Sequence, residues 1–485
     1  MNCPGRASIS DSTLALACGA ASLLARLGYG MMGLRFDLRP LDWFMQYLDP
    51  VLLRTRLSES LWYLHSQPPG FNLFLGLVLK TFPGREAAAF AAAYALAAAA
   101  LCWAVFLLQR RLGVGRQVAV ALTLVLAASP GLALYSNWLF YSLPVAALLA
   151  LAGLALARFG ETGRARDALA FFVSVAAVCL VHGLFHLVFL LAAVVAVLAA
   201  SRGRRKVVLA TAALPVLLVT GVYTKNLVVF GRFTASTWTG MNLWGTTGAF
   251  VPEPVRERLV SEGRLSWAAL VDRFESVELY PAEWRGEPAA DVPALTAPRR
   301  ASGFPNFNHQ DYIDIGEHYL RDALASVRYY PVGFVKGLAK AWFCYFKSPS
   351  DYVLLEPNMD RLAGPNRVFD LLLAGRLPWD FGRLGVVPVR SDRGHHLGFL
   401  LLVGLPLVFL YGVSAARRGT DHSAGQRLAL CYIVVTVAWV ALVGNTLEAG
   451  ENQRFRFATD PLSIVLLGLF AQRCLAPRLR PRRQD

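Results

Sequence analysis

Residues 86–108 read EAAAFAAAYALAAAALCWAVFLL, and after Glu86 this stretch carries no charged side chain. A helix of this length, rising about 1.5 Å per residue, is long enough to cross the hydrocarbon core of a bilayer. Similar stretches recur along the 485-residue chain, which is 55% hydrophobic. Soluble domains contain roughly 45–50% apolar residues. We therefore predict an all-α polytopic membrane protein.

About ten transmembrane helices are predicted, eight of ordinary length and two short ones. The two short spans divide residues 167–200, a run too long for one span and interrupted by VHGLFH at 181–186. Residues 68–82 are apolar but short, so we predict a re-entrant or interfacial segment there. The eight ordinary spans are residues 12–33, 86–108, 117–135, 139–157, 207–229, 396–415, 426–446 and 459–474.

Arginine-rich connections set the predicted topology. The segments 110–116, 158–166, 202–206 and 417–427 and the tail 473–483 are basic and, by the positive-inside rule, belong in the cytoplasm. Both termini then lie inside, and residues 34–67, 230–395 and 447–458 lie outside with the 182–186 turn. This arrangement accounts for the net charge of +16 without a nucleic-acid partner, because the arginines form no single stripe.

Three regions follow from this topology. Residues 1–229 form an N-terminal transmembrane module with an acidic first outside loop at 34–67, and residues 396–485 form C-terminal transmembrane helices and a basic cytoplasmic tail. Residues 230–395 form an extracytoplasmic region with an interfacial helix at 329–346. Proline and glycine around 281–305 and 349–388 favour irregular loops there over a large independent core.

Composition also indicates a source and a location. Lys occupies only six of the 48 basic positions, which together with abundant Ala indicates a GC-rich bacterial genome. We expect a multi-pass protein of the bacterial cytoplasmic (inner) membrane, with its active site on the extracytoplasmic side.

The first outside loop contains three isolated aspartates, Asp37, Asp42 and Asp49. A carboxylate at a membrane face can act as a general base, because partial desolvation raises its proton affinity. The alternative is a solvated loop in which these residues cap helices.

Histidine and glutamine side chains accompany the next turns. His65 and Gln67 precede the paired prolines Pro68 and Pro69, which fix the backbone where the chain re-enters apolar sequence. His182 and His186 are four residues apart, which suits a hydrogen-bonding pair at a hairpin better than a metal site, because no third ligand accompanies them. A protonated histidine there can contact phosphate.

Cations in apolar surroundings complete the candidate set. Lys225 lies inside an apolar run, where it either snorkels or meets an anion. Arg454 and Arg456 break the positive-inside pattern, and guanidinium groups bind phosphate oxygens through paired donors. Glu451 can orient them or bind a sugar hydroxyl.

These motifs together resemble the GT-C fold glycosyltransferases, including the mannosyltransferase-like and arabinosyltransferase-like membrane enzymes that use polyprenyl-phosphate sugars. The resemblance rests on the acidic first loop, on QPPG at 67–70 and on ENQRFRFATDP at 451–461. The aspartates here are isolated rather than adjacent, and His65 stands three residues before the prolines rather than directly before them. Which aspartate would be catalytic stays open.

The resemblance implies inverting transfer of a sugar from a polyprenyl-phosphate carrier to an extracytoplasmic lipid, glycan or protein. Asp37, Asp42 or Asp49 would be the base, while Arg454, Arg456, Lys225 and His186 would stabilise the leaving phosphate. His182, His65, Gln67 and Glu451 would complete substrate binding. Membrane lipid is an expected partner, and no cofactor is expected, although a divalent metal stays open.

Two other classes of function remain. A transporter or flippase of an anionic lipid-linked substrate would use the outside arginines for docking, but the spans carry few midplane polar groups. A non-catalytic partner in envelope assembly would tolerate substitutions at Glu451, Arg454 and Arg456.

Overall fold

The computed structural model describes residues 9–378, 396–417 and 423–479. These residues are mostly α-helical, with one antiparallel ladder between β1 (Arg376–Pro378) and β2 (His396–Gly398). The helices up to residue 230 are α1 (Asp11–Met31), α2 (Pro40–Trp43), α3 (Pro50–Thr55), α4 (Leu57–Trp62), α5 (Pro69–Thr81), α6 (Glu86–Arg111), α7 (Arg116–Ala127), α8 (Pro130–Tyr135), α9 (Ser142–Thr162), α10 (Ala165–Val181), α11 (Leu187–Ala200) and α12 (Arg205–Phe230).

The remaining helices divide into a middle and a C-terminal group. The middle group is α13 (Thr239–Thr247), α14 (Glu253–Ser261), α15 (Pro293–Thr296), α16 (Tyr312–Tyr329), α17 (Pro331–Tyr345), α18 (Asn358–Arg361) and α19 (Ala363–Phe369), the last continuing into a π-helical turn, Asp370–Ala374. The C-terminal group is α20 (Phe399–Arg417), α21 (Ala424–Leu447), α22 (Asn452–Phe457) and α23 (Asp460–Leu479).

Six of the described helices are long and apolar enough to cross a membrane: α1, α6, α9, α12, α20 and α21. This supports the predicted class, an all-α membrane protein. Helix α9 is the centre of the bundle, because it is apolar on every side and contacts α6, α10 and α21. Helices α1 and α12 lie further out and expose leucines such as Leu24 and Leu217, as lipid-facing helices do.

Helices α9 and α21 approach each other closely at Gly160 and Gly425. A Cβ atom added to Gly160 would lie 2.2 Å from the Cα of Gly425, so only glycine fits. Small residues at such crossings let the backbones of membrane helices pack together.

We expect Gly160→Ala to lower the free energy of unfolding by about 1–3 kcal/mol, the usual cost of overpacking. The thermal midpoint of the detergent-solubilised protein measures this loss. Gly221→Ala on α12 is the matched control, because its added Cβ would meet no atom within 4 Å. Equal midpoints for the two variants would contradict the close crossing.

The helical part of several predictions is confirmed, while the placement of these segments in the membrane stays a prediction. Residues 167–200 divide at the histidine turn into α10 and α11, residues 68–82 contain the short helix α5, and α17 occupies most of 329–346. The single span predicted for 117–135 is wrong. Ser129 and Pro130 end α7 and begin α8, because the Ser129 side chain caps the new helix and proline fits its first turn.

The expectation of irregular loops over an independent core in 230–395 is also corrected. Fourteen buried residues between Trp238 and Ala323 form a hydrophobic cluster separate from the transmembrane core. Helices α13 and α16 pack together at its centre, with Trp244 and Tyr319 between them. Much of the 281–305 segment is irregular as expected, while residues 379–395 lie outside the described residues.

The first of the predicted outside loops is also ordered rather than solvated throughout. It contains α2, α3 and α4, and residues 300–302 of the middle region donate hydrogen bonds to it. Buried Arg300 donates to the carbonyl oxygens of Phe44 and Met45, at 2.9 and 3.1 Å. These bonds hold the backbone that leads to the cavity described next.

Candidate functional site

A polar cavity of about 150 Å³ lies where the predicted outside segments meet. All three of those segments contribute side chains, and so does the histidine turn. Five of the residues singled out in the sequence line it: Gln67, His182, His186, Glu451 and Arg454. The other side chains used below are Met45, Gln46, Tyr141, Asn242, Arg273 and Glu448.

Arg454 is the most buried charge at this cavity, with 3% of its side chain exposed. It lies on α22 with its guanidinium carbon 4.8 Å from the ring centre of Phe140 and 4.6 Å from that of Phe455. Its Nε donates to Glu451 at 3.0 Å, and its Nη2 contacts the same carboxylate. Its Nη1 is buried and has no hydrogen-bond partner among the described residues. The site therefore holds one unused, charge-assisted donor.

Two carboxylates balance the two arginines of the cavity. Glu448 bridges Arg273 through both oxygens, at 2.7 and 2.9 Å, while Glu451 pairs with Arg454 and keeps 32% of its side chain exposed. Burial alone would raise the pKa of Glu451, but the charge and hydrogen bond of Arg454 outweigh it and hold that pKa below its usual value. Glu451 is therefore ionised at neutral pH in the unliganded protein.

Both cavity histidines are neutral near pH 7. Burial lowers the pKa of His182 and of His186, and the positive charge of Arg454 lowers that of His182 further. The Nδ1 of His182 accepts the backbone N–H of Leu184 at 3.2 Å, so its ring proton is on Nε2. A phosphate contact from these residues would use neutral N–H donors, not the protonated histidine considered above.

The three first-loop aspartates do not line this cavity. Asp37 forms a bidentate pair with Arg39 at 2.8 Å, and Asp49 caps α3 while accepting the N–H of Ala301 at 2.7 Å. The Asp42 residue is exposed. Instead, Met45 and Gln46 of the same loop reach the cavity. The capping alternative therefore describes Asp49 well.

Lys225 and His65 make structural contacts outside the cavity. Lys225 donates from Nζ to the carbonyl oxygen of Leu64 at 2.6 Å and lies over the ring of Phe230. His65 is fully buried, and its Nε2 lies 3.0 Å from the carbonyl oxygen of Asn308, so Nε2 carries the proton. Its Nδ1, 2.9 Å from the Thr237 hydroxyl, then accepts. The two side chains join the first loop to α12 and to the middle region.

Acidification should weaken the fold through His65. Burial lowers the pKa of His65 from 6.5 to about 3. Below pH 6.5 the unfolded chain binds a proton that the folded chain excludes, so stability falls as pH falls, by about 2 kcal/mol between pH 6.5 and pH 5. We expect wild type to lose more thermal stability than His65→Gln when the pH is lowered from 7.5 to 5. Equal losses would contradict this assignment.

Arg456 faces away from Arg454. It lines a separate apolar groove, where its Nε donates to Asp460 at 2.9 Å and its Nη1 to the carbonyl oxygen of Tyr345. Arg454 and Arg456 are thus two residues apart on the short helix α22 but line different sites, the polar cavity and the apolar groove. The expectation that both arginines hold one phosphate does not match this geometry.

Arg273 and Glu448 were not singled out in the sequence. Glu448 follows a predicted span directly in an outside loop, so a signal for it existed. Arg273 is one of many arginines in the middle region, and nothing in its neighbourhood marks it. Its place depends on Gly245 of α13, where an added Cβ would lie 2.3 Å from the Arg273 guanidinium.

The cavity is thus a small chamber with paired charges, two neutral histidines and one unused guanidinium donor. Among the residues that the structure describes, no group of three or more His, Cys, Asp or Glu side chains could hold a metal ion. Comparison of the chain with protein-family models and with curated proteins found no match.

Proposed function

We propose that the protein is an inverting glycosyltransferase of the GT-C type, which transfers a sugar from a polyprenyl-phosphate carrier to an acceptor hydroxyl. In this proposal it crosses a bacterial cytoplasmic membrane about ten times, and the polar cavity opens on the extracytoplasmic side. The observation that carries the proposal is the buried Nη1 of Arg454, which has no hydrogen-bond partner in the part of the chain that the structure describes. A buried donor without a partner costs about 1–3 kcal/mol, and a phosphate oxygen of the donor substrate would remove that cost.

Phosphate binding would change the state of Glu451. A phosphate on Arg454 competes with the carboxylate for the guanidinium, so Glu451 loses part of its counter-ion and gains an anionic neighbour. Both changes raise its proton affinity. The carboxylate thus becomes a stronger base only when the donor is bound.

The chemical step then follows from these roles. Glu451 removes the proton of the acceptor hydroxyl, whose oxygen forms a bond to the anomeric carbon on the face opposite the phosphate. The bond from that carbon to the phosphate oxygen breaks, and its electron pair leaves with polyprenyl phosphate. Arg454, with the N–H groups of His182 and His186, stabilises the charge that develops on the phosphate. Gln67 and Asn242 can bind sugar hydroxyls.

The test uses membranes that contain the protein and a radiolabelled polyprenyl-phosphate hexose or pentose. Label should enter a lipid, glycan or protein fraction with wild type and far less with Arg454→Lys. Proteoliposomes with the same substrate separate the other classes. Translocation of intact substrate without transfer would indicate a transporter, and neither activity would indicate an assembly partner.

A further inference from the structure

A residue with a strained backbone lines the polar cavity. Phe274 has a φ of 62°, and within the described residues it is the only one besides glycines with a positive φ. This left-handed conformation is unfavourable for a bulky side chain, so it persists only where the surroundings enforce it. We propose that Phe274 is a specificity-determining residue whose ring packs against the sugar of the donor. This inference rests on the proposed function.

Two buried tyrosines of α16 hold the turn that contains Phe274. Before the turn, the Tyr319 hydroxyl donates to the carbonyl oxygen of Val271 at 3.1 Å. After it, the Tyr312 hydroxyl donates to the carbonyl oxygen of Glu275 at 2.6 Å. Because both flanks are fixed to one helix, the strain at Phe274 is offset by the packing of the middle region.

Phe274 is the most accessible large aromatic residue of the cavity wall. Its ring packs against those of Trp238 and Phe307 in the separate hydrophobic cluster, with ring centres 5.0 and 5.9 Å away. Phe274 itself is only partly buried. The other phenylalanine, tyrosine and tryptophan residues that line the cavity, Tyr141, Trp238 and Phe455, are buried. A ligand in the cavity therefore meets the ring of Phe274.

An aromatic surface beside polar side chains suits a sugar. The face of an aromatic ring is negative, so it attracts the partly positive C–H groups on the face of a sugar ring. The hydroxyl groups at the rim of the sugar stay free to bond to Gln67 and Asn242, which line the same cavity. Since the turn is held before the ligand arrives, little ordering of Phe274 opposes binding.

The experiment compares two ligands of the full-length protein in detergent. One is the radiolabelled polyprenyl-phosphate hexose or pentose of the transfer assay, and the other is polyprenyl phosphate without a sugar. Phe274→Leu keeps an apolar side chain but removes the ring. We expect it to weaken binding of the sugar-bearing carrier roughly three- to tenfold, the range for one aromatic contact, and to leave binding of the bare carrier unchanged.

Phe304→Leu is the matched control. Phe304 is a partly buried residue that packs against the same hydrophobic cluster as Phe274, but it does not line the cavity. The same substitution there should change neither affinity. A loss of sugar binding in Phe304→Leu equal to that in Phe274→Leu would overturn the proposed contact.

Two further variants test the strain. Phe274→Gly and Phe274→Ala both remove the ring, but of the two only glycine adopts a φ of 62° without a steric cost. The thermal midpoint should therefore be higher for Phe274→Gly than for Phe274→Ala, the reverse of the order at an unstrained position. Phe274→Gly also replaces Phe274→Leu in the binding experiment if the leucine variant does not fold.

The outcomes separate this inference from the proposed function. If wild type transfers sugar and Phe274→Leu binds the sugar-bearing carrier as tightly as wild type, the contact is overturned and the proposed function stands. Equal weakening of both ligands would show that Phe274 only shapes the cavity. A midpoint of Phe274→Gly at or below that of Phe274→Ala would remove the strained turn. Absence of both transfer and saturable binding in wild type would overturn the proposed function, and this inference with it.

Discussion

Arg454→Lys is expected to lower kcat/KM for sugar transfer by roughly 10²–10³-fold, the usual effect of removing one donor that stabilises developing charge. Lysine keeps the positive charge opposite Glu451 but lacks the planar fork, so it cannot bind the carboxylate and a phosphate oxygen with separate N–H groups. Initial rates over a range of polyprenyl-phosphate sugar concentrations measure the loss.

Folding of this variant needs its own control, because breaking a buried ion pair costs about 3–5 kcal/mol when one charge is left alone. The thermal midpoint of Arg454→Lys should stay close to that of wild type, since the charge is retained. The double variant Arg454→Gln with Glu451→Gln removes both charges and should be more stable than Arg454→Gln alone. A folded Arg454→Lys protein with unchanged transfer would end the proposed role of Arg454.

Arg456→Lys separates two views of the arginine pair. If both residues held one phosphate, the two lysine variants would raise the KM for the donor alike. Of these two residues, Arg454 lines the polar cavity and Arg456 lines the apolar groove, so Arg456→Lys should leave the donor KM within about threefold, as expected for a residue that does not contact this substrate. The comparison is fair because both arginines are buried and each pairs with a carboxylate of its own helical neighbourhood.

The lengths of the apolar runs made much of the fold predictable. Run length alone predicted α1, α6, α9, α12, α20 and α21, because a membrane-spanning helix requires an uninterrupted apolar stretch. The turn at His182 was predictable because the run around it was too long for one span. The break at Ser129 and Pro130 could not be predicted from run length. The capping serine and the first-turn proline are both uncharged, so the apolar run continues through them.

Residues of the site were predictable only where the partner of a side chain lies nearby in the sequence. Glu451 and Arg454 lie three apart and pair across one turn of chain, so their partnership could be read from spacing. The directions in which the side chains of Arg454 and Arg456 point could not be predicted, because they depend on which neighbour packs on each face of α22. Arg273 reaches the cavity through the packing of a separate hydrophobic cluster, for which the sequence has no local marker. Asp37 was one of three candidate bases, and its ion pair with Arg39 could not be predicted, because two residues so close in sequence can also point apart.

The identity of the base is the other result with a large expected effect. Glu451→Gln should lower kcat by roughly 10²–10⁴-fold, the usual contribution of general acid–base catalysis. Donor binding should be unchanged or tighter, because the amide no longer competes with phosphate for Arg454. Asp37→Asn and Asp42→Asn are the matched replacements in the first loop. They should retain most of the activity, since neither side chain lines the cavity.

The pH dependence distinguishes a base from a residue that only shapes the cavity. In the free protein Arg454 holds the pKa of Glu451 below its usual value, so the acidic limb of kcat/KM, which reports the free enzyme, should lie below about pH 4.5. The limb of kcat reports the donor complex, in which phosphate has taken Arg454 and the pKa of Glu451 has risen. We therefore expect the kcat limb at higher pH than the kcat/KM limb. Coincident limbs would contradict the proposed rise in the pKa of Glu451 on donor binding. Loss of transfer in Asp37→Asn or Asp42→Asn, with full activity in Glu451→Gln, would move the base to the first loop.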